Sequence, residues 1–359
     1  MSWNRIARPA WDGLVGVERS GDGYRVVDSR ESGSAGGATA PAPRALHELV
    51  LEGHLRGRPA AAILEGHDVL VRRLSLPPLK RQDLLSALTL ECRKHVPYPL
   101  EEAELRFEVL GPSVQAPGGQ DLLVAVAPRR AVEETRAALE ESGLRPVALT
   151  IRPVAVRALV RSTPAASEAE VTAFLDMGAR ESQITVFRGD EIRFTRDCGV
   201  GVGSFADALR SIVVPGQGMV ALGAGEAEQL LRTTGIPGPE REGLAPEGVP
   251  LAAVSVMLRP ILERLVRELW NSFDYVHEQF QGQAVSRVRL MGDGMEIPGL
   301  TEHLAGILKI PVGRADIHEG GRTEWTSAAG LSRVVPGGLN FLEPAGAGAA
   351  FRIAEAIPQ

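Results

Sequence analysis

Aromatic residues are scarce in this chain of 359 residues: Phe, Tyr and Trp together make up 4%. Its cores must therefore be packed by Leu, Val, Ile and Ala. Cysteine is scarcer still. Cys92 and Cys198 lie far apart, with no His or Cys partner at metal-ligand spacing. That excludes a disulfide framework and predicts buried thiols in a reducing compartment. Long apolar runs are missing too; the stretch 251–258 falls far short of the roughly 20 residues a membrane helix needs. The first residues are interrupted by Arg5, Arg8, Pro9 and Asp12, which excludes the apolar core of a signal peptide. Nor is there an excess of positive charge. The net charge is −6 and the basic residues are scattered, which argues against nucleic-acid binding. Together these absences predict a cytoplasmic protein that does not itself insert into a membrane.

What is present is ample apolar material, 44% of residues, in a chain long enough for two or more domains. The most informative stretch is 174–187. An apolar strand runs into Asp176, turns at Gly178, and leaves as a strand in which Ile184 and Val186 alternate with polar neighbours. By itself this is ordinary hairpin chemistry. It is also a turn whose N–H groups can face phosphate oxygens while the carboxylate holds a divalent cation.

The chain opens in the same way: strands at 13–17 and 24–28 flank Glu18 and a Gly-containing turn. Two hairpins can be alike by chance; a true duplication would make two related lobes. The stretch 32–43, rich in Gly, Ala, Ser and Pro, reads as a loop. After a helix at 44–56 and strands at 60–65 and 69–74, Pro77-Pro78 precedes a helix at 81–95. Strands at 104–110 and 121–127 and a helix at 129–142 follow, so 75–150 reads as a compact α/β insert. A strand at 147–150, a short helix at 153–160 and a small, polar linker at 162–169 lead to the second half.

There, strands at 171–176, 183–187 and 191–196 precede helices at 204–214 and 224–233 and a Pro/Gly-rich loop at 235–250. The clearest helix spans 254–280. Leu258, Leu262, Leu265, Leu269, Phe273, Val276 and Phe280 recur along it at steps of three and four, as a core-facing stripe does. A strand at 287–291, the loop Gly292-Asp293-Gly294, and helices at 299–308 and 324–334 complete the pattern. A glycine-rich turn between strand and helix is most often only a turn, yet it also lets backbone approach a flat ligand or a phosphate closely.

The order acid–hairpin, acid–Gly–hairpin, Gly-rich strand-to-helix loop resembles the phosphate-1, phosphate-2 and adenosine segments of the actin-like ATPases. Within that superfamily the chain resembles the PilM family of type IV pilus assembly. Leu74-Ser75-Leu76-Pro77 and His95-Val96-Pro97-Tyr98-Pro99-Leu100 look like that family's inserted subdomain. The likeness continues through 174–187, Phe194-Thr195-Arg196, 290–300 and Ala328-Ala329-Gly330-Leu331.

The resemblance implies an α/β, two-lobed actin-like ATPase (ribonuclease H-like) fold. Its first lobe would comprise 1–74 and 147–169 and carry the insert at 75–146. The second lobe would be 170–335, with a tail at 336–359. It further implies nucleotide bound between the lobes by Glu18, Ser20, Gly21, Asp176, Gly178, Ala179, Glu228, Gly292, Asp293 and Gly294. Mg would be held by Asp176 and Glu18. The implied partner is the cytoplasmic tail of a PilN-like inner-membrane protein, which carries an Asn-Leu-Leu-Pro-like motif and docks beside the insert. Other components of the inner-membrane platform would join through it.

The site departs from the family pattern in several places. Where the family writes Gly-Ile-Asp-Ile-Gly-Ser, this chain has Gly16-Val17-Glu18-Arg19-Ser20-Gly21. Glu is one methylene longer than Asp, and Ser20 puts a Cβ where backbone normally nears phosphate. The family's Ala-Glu-x-x-Lys is met by Ala227-Glu228-Gln229-Leu230-Leu231, so its lysine is a leucine. No general base is identifiable. These departures predict a scaffold with weak or vestigial Mg-ATP binding rather than an efficient ATPase. The alternatives are an ATP-hydrolysing switch of a pilus or secretion-like machine and, more remotely, a sugar or acetate kinase. One further motif, 338–344 (Gly-Leu-Asn-Phe-Leu-Glu-Pro), is either an ordinary C-terminal loop or a copy of the partner's tail placed in cis.

Overall fold

The computed structural model describes residues 13–20, 23–29, 45–64, 68–113, 117–162, 170–214, 218–238, 242–246, 248–280, 282–315, 327–331 and 339–343. Gly21, the loop 32–43 and most of the predicted linker 162–169 lie outside them. So do the predicted helix 324–334 apart from 327–331 and the tail apart from 339–343.

The described residues divide into two compact units, one built from residues up to 166 with 190–192 and those after 316, the other from 167–189 and 193–316. In the first, β1 (Val15–Ser20) pairs antiparallel with β2 (Gly23–Asp28). Helix α1 (Leu46–Glu52) leads to β3 (Pro59–Ile63), which runs parallel to β1. An excursion follows. It contains β4 (Leu70–Leu76), α2 (Arg81–Arg93), a 3₁₀ turn at Leu100–Glu102, β5 (Ala103–Pro112) and β6 (Gln120–Pro128). Helix α3 (Arg129–Glu141) then returns the chain to β7 (Arg145–Thr150), parallel to β3, and to α4 (Arg152–Ser162). The sheet order is β2-β1-β3-β7, while β4, β6 and β5 form a separate antiparallel sheet in that order.

That excursion takes in the residues read as an insert and has a core of its own. Leu84, Leu88 and Cys92, four residues apart on one face of α2, pack with Phe107, Leu122, Val124 and Val126. Val96, Tyr98 and Leu100 lie against the same cluster, so the alternate residues of the Val-Pro-Tyr-Pro-Leu element are core packing. The Tyr98 hydroxyl donates to the Asp68 carbonyl at 2.5 Å. Burial pushes the Cys92 thiol up to about 11, as suits a structural rather than a reactive cysteine. The insert's sheet starts at Leu70, ahead of the expected residue 75, and α3 packs on β7.

The second unit repeats the scheme. β8 (Val171–Met177) pairs antiparallel with β9 (Ser182–Arg188), which is followed by β10 (Glu191–Cys198). Helix α5 (Val202–Ala208), the hairpin β11 (Ser211–Val214) and β12 (Gly218–Ala221), α6 (Ala224–Thr234) and the long α7 (Leu251–Gln279) come next. β13 (Arg287–Gly292) then runs parallel to β8, and α8 (Leu300–Leu308) leads to β14 (Val312–Arg314), parallel to β13. The order β10-β9-β8-β13-β14 contains β9-β8-β13-β14, which has the pairing senses of β2-β1-β3-β7. The matching hairpins thus belong to matching sheets. Leu258, Leu262, Leu265, Leu269, Phe273, Val276 and Phe280 of α7 and its end are all buried, as their spacing requires.

Two expectations are corrected. Residues 204–214 are not one helix: α5 ends at Ala208, and Ser211–Val214 is a strand in which Ile212 and Val214 are buried while Val213 is exposed. A period of two over four residues is too short to read against a helix that ends just before it. Second, α9 (Ser327–Leu331), expected within the second lobe, packs in the first unit against α4, β1, β2 and β3. A Cβ on Gly330 would lie 2.1 Å from the Ala155 carbonyl oxygen of α4, so glycine permits the close approach.

Candidate functional site

In the second unit the predicted residues meet at the carboxyl ends of two parallel strands, where open α/β sheets commonly bind ligands. Asp176 stands beside Met291 and Met177 beside Gly292. Asp176 is buried. Gly292 has φ +69°, and a Cβ there would lie 2.6 Å from both Asp176 Oδ1 and the Met177 carbonyl oxygen. Only glycine fits. At Gly294, in the 3₁₀ turn Asp293–Glu296, a Cβ would come within 2.7 Å of the Met177 side chain.

The turn after β8 is supported from outside. The Gly178 amide donates to the Glu181 carbonyl at 3.0 Å, closing the hairpin. The amides of Val202 and Gly203, at the start of α5, donate to the carbonyls of Gly178 at 3.0 Å and Ala179 at 2.8 Å. The Ser182 hydroxyl donates to the Val200 carbonyl at 2.5 Å. A Cβ on Gly201 would lie 2.4 Å from the Arg180 carbonyl carbon, so the turn rests directly on the helix entrance. Neither Gly201 nor Gly203 was among the predicted residues. The run Gly199-Val200-Gly201-Val202-Gly203 was the visible signal for them.

Glu228 is carried on α6 and exposed, with Ala227, Leu230 and Leu231 buried beneath it. Leu231, in the place of the family's lysine, is therefore a core residue and offers no cation. The end of α6 is stitched to the loop beyond the 3₁₀ turn. The Ile236 amide donates to the Pro298 carbonyl at 2.8 Å, and Gly235 and Gly299, both at positive φ, admit the contact. Helix α6 and the 292–299 loop are thus held in one frame, though Glu228 is on its exposed side.

Glu18 belongs to the first unit, where it has other work. Its Oε1 accepts a 2.7 Å bond from Arg152 Nη1. Its Oε2 accepts a 3.1 Å bond from the Ala328 amide and lies 3.9 Å from Arg25 Nη1. The carboxylate is 5% exposed. It joins β1 to α4, α9 and β2, and a divalent cation there would compete with two guanidiniums for the same oxygens. These surroundings fit a strut and do not fit a metal ligand. Ser20 closes the same strand. Neither Arg25 nor Arg152 was expected to partner Glu18. Among the described residues no three His, Cys, Asp or Glu side chains are grouped as a metal site.

Comparison with known proteins bears on this arrangement. Residues 42–213, just under half of the chain, match the family model described as type IV pilus assembly protein PilM. A solved PilM-PilN type IV pilus biogenesis complex aligns with 90% of this chain and 98% of its own at 20% identity, with a TM-score of 0.67. At that identity the likeness shows the fold, and the resemblance read from the insert motifs is borne out. Weaker likenesses extend to the ethanolamine utilization protein EutJ of Carboxydothermus hydrogenoformans (15% identity, TM-score 0.47, 92% of each chain). MreB5 of Spiroplasma citri, solved with AMPPNP, aligns over 53% of this chain and 60% of its own (15% identity, TM-score 0.39). The chain accordingly shares the α/β fold of the solved PilM, with the excursion between β3 and β7 in its first unit.

Proposed function

We propose that this PilM-like chain is a cytoplasmic scaffold of type IV pilus assembly. It binds the cytoplasmic tail of a PilN-like inner-membrane protein and reaches the membrane platform through that partner. The observation that carries the reading is the PilM family match across 42–213, which takes in the whole insert. The likeness of fold to a PilM solved with PilN supports the choice of partner. Among the described residues no helix is long and apolar enough to cross a membrane, in keeping with attachment through a partner.

Mg-ATP binding, in this reading, is weak or vestigial. Asp176 with the glycines at 178, 292 and 294 supplies what contact there is, because glycine lets backbone approach a phosphate or a purine. Glu18, taken up by Arg152 and Arg25, and Leu231, buried in place of lysine, both weigh against an ATP-hydrolysing switch. An actin-like fold can serve as a binding scaffold once its chemistry has gone.

Co-purification of the full chain with an intact PilN-like protein tests the partner. A stable complex that is lost when the tail's Asn is changed to Ala is expected; no complex at micromolar concentrations overturns the assignment. Isothermal titration with Mg-ATP, with Asp176→Ala as control, tests the second part. Weak binding lost in the variant, without turnover, is expected. Phosphate release at several turnovers per second, a typical enzyme rate, would restore the switch reading.

A further inference from the structure

The outer edge of β7 is covered by residues 339–343, and the contact has the form of peptide recognition. The Phe341 amide donates to the Leu149 carbonyl at 2.7 Å, and the Thr150 hydroxyl donates to the Leu339 carbonyl at 2.6 Å. Between these, the Asn340 side chain engages the edge with both ends of its amide. Oδ1 accepts from the Leu149 amide at 2.9 Å, and Nδ2 donates to the Val147 carbonyl at 3.1 Å. Oδ1 also accepts from the Leu342 amide at 3.1 Å, which fixes the bend of the segment. From β5 of the insert, Arg106 donates to the carbonyls of Glu343 at 2.7 Å and Phe341 at 3.0 Å. Its guanidinium sits 5.6 Å from the centre of the Phe341 ring. Leu339 and Phe341 are each 2% exposed.

Two features make this a ligand-and-site arrangement rather than one more piece of core. The receiving groups are chiefly main-chain atoms of a sheet edge plus one arginine, the means by which proteins add an extended peptide to an open edge. The sheet is meanwhile complete without the segment, since β7 already pairs with β3 and its core is Leu14, Ala61, Ile63, Ala148, Ala155 and Leu331. The edge reads one residue type. An acceptor and a donor two residues apart demand a primary amide; Asp lacks the donor, and an apolar residue leaves the Leu149 amide and Val147 carbonyl unsatisfied.

We propose that the β7 edge and Arg106 form a recognition site for an extended segment with Asn between apolar residues, which this chain occupies with its own residues 339–343. A partner tail of the same chemistry enters only when that segment leaves. The site stands without the pilus assignment, which would name only the source of the competing tail. Tethered to the same chain, the native segment competes at an effective concentration in the millimolar range.

The test uses the full chain and a fluorescently labelled synthetic peptide of residues 336–346, read by anisotropy. The Asn340→Ala chain is expected to bind the probe at least about tenfold more tightly than the wild type, because a site already filled lowers apparent affinity by the open fraction. A probe with Ala in place of Asn340 is expected to bind neither. Equal affinity for wild type and variant overturns occupancy in cis, and no binding to the variant overturns the site. If Asn340→Ala does not fold, Asn340→Asp, which keeps Oδ1 and removes the Nδ2 bonds to the Val147 carbonyl and Glu343 Oε1, must give the same ordering. A PilN-like tail peptide that fails on a variant to which the 336–346 probe binds removes the pilus partner and leaves this site standing.

Discussion

Glu18 and Asp176 hold matching places, each near the end of the strand that opens an antiparallel hairpin and runs parallel to the next strand of its sheet. Their surroundings have diverged. Around Glu18 the chain has supplied cations from α4 and β2 and an amide from α9. Around Asp176 it has supplied glycines, with Gly292 pressed against the carboxylate and Gly178 opening the turn. A carboxylate that the protein neutralises with its own arginines is a structural joint. The other lies against backbone that only glycine admits. The difference teaches that a duplicated motif can keep its topology in both copies while the surroundings of its acid diverge.

The largest effect expected from breaking this contrast is at Glu18. Glu18→Ala leaves Arg152, only 17% exposed, facing a buried position without its carboxylate. It should cost about 3–5 kcal/mol in urea unfolding. Next comes Gly292→Ala, which combines positive φ with a Cβ 2.6 Å from Asp176 Oδ1 and the Met177 carbonyl oxygen. A loss of roughly 1–3 kcal/mol is expected. Adding Asp176→Ala should recover only part of it, since the Met177 carbonyl remains in the way; full recovery would mean the side chain alone sets the constraint.

The smallest effect concerns a third acid, Asp121 of the insert, which sharpens the contrast by giving a second case of a carboxylate held by the chain's own groups. Burial works to raise its pKa, but bonds from Ser75 and Arg73, the pairing with Arg73 and a bond from Ser113 together hold it below the ordinary value. A depressed carboxylate contributes stability that is fully present above the unfolded pKa and is lost as pH falls through the folded one. The contribution should therefore be complete above about pH 4 and fade below it. Asp121→Asn should flatten that part of the urea-midpoint profile against pH.

Much of the fold could be read from local pattern. The stripe along α7, the two acid-ended hairpins and the insert all declare themselves within windows of about 20 residues, where side-chain period decides. The duplicated sheets follow from the hairpins. What stayed hidden was set by distance. The partners of Glu18 are Arg152, 134 positions away, and Ala328, 310 positions away. Nothing local to 327–331 says which unit it joins. The roles of Gly201 and Gly203 likewise depend on a turn more than 20 residues earlier. The β11 strand is too short for its period to outweigh the helical pattern before it.

A thermodynamic double-mutant cycle between Glu18 and Arg152 tests the division of labour most directly. Urea unfolding of wild type, Glu18→Gln, Arg152→Gln and the double variant gives the coupling energy. A charge-assisted bond of this burial should give about 1.5–3 kcal/mol. Additivity within about 0.5 kcal/mol would contradict the account and return Glu18 to the list of residues available to a ligand.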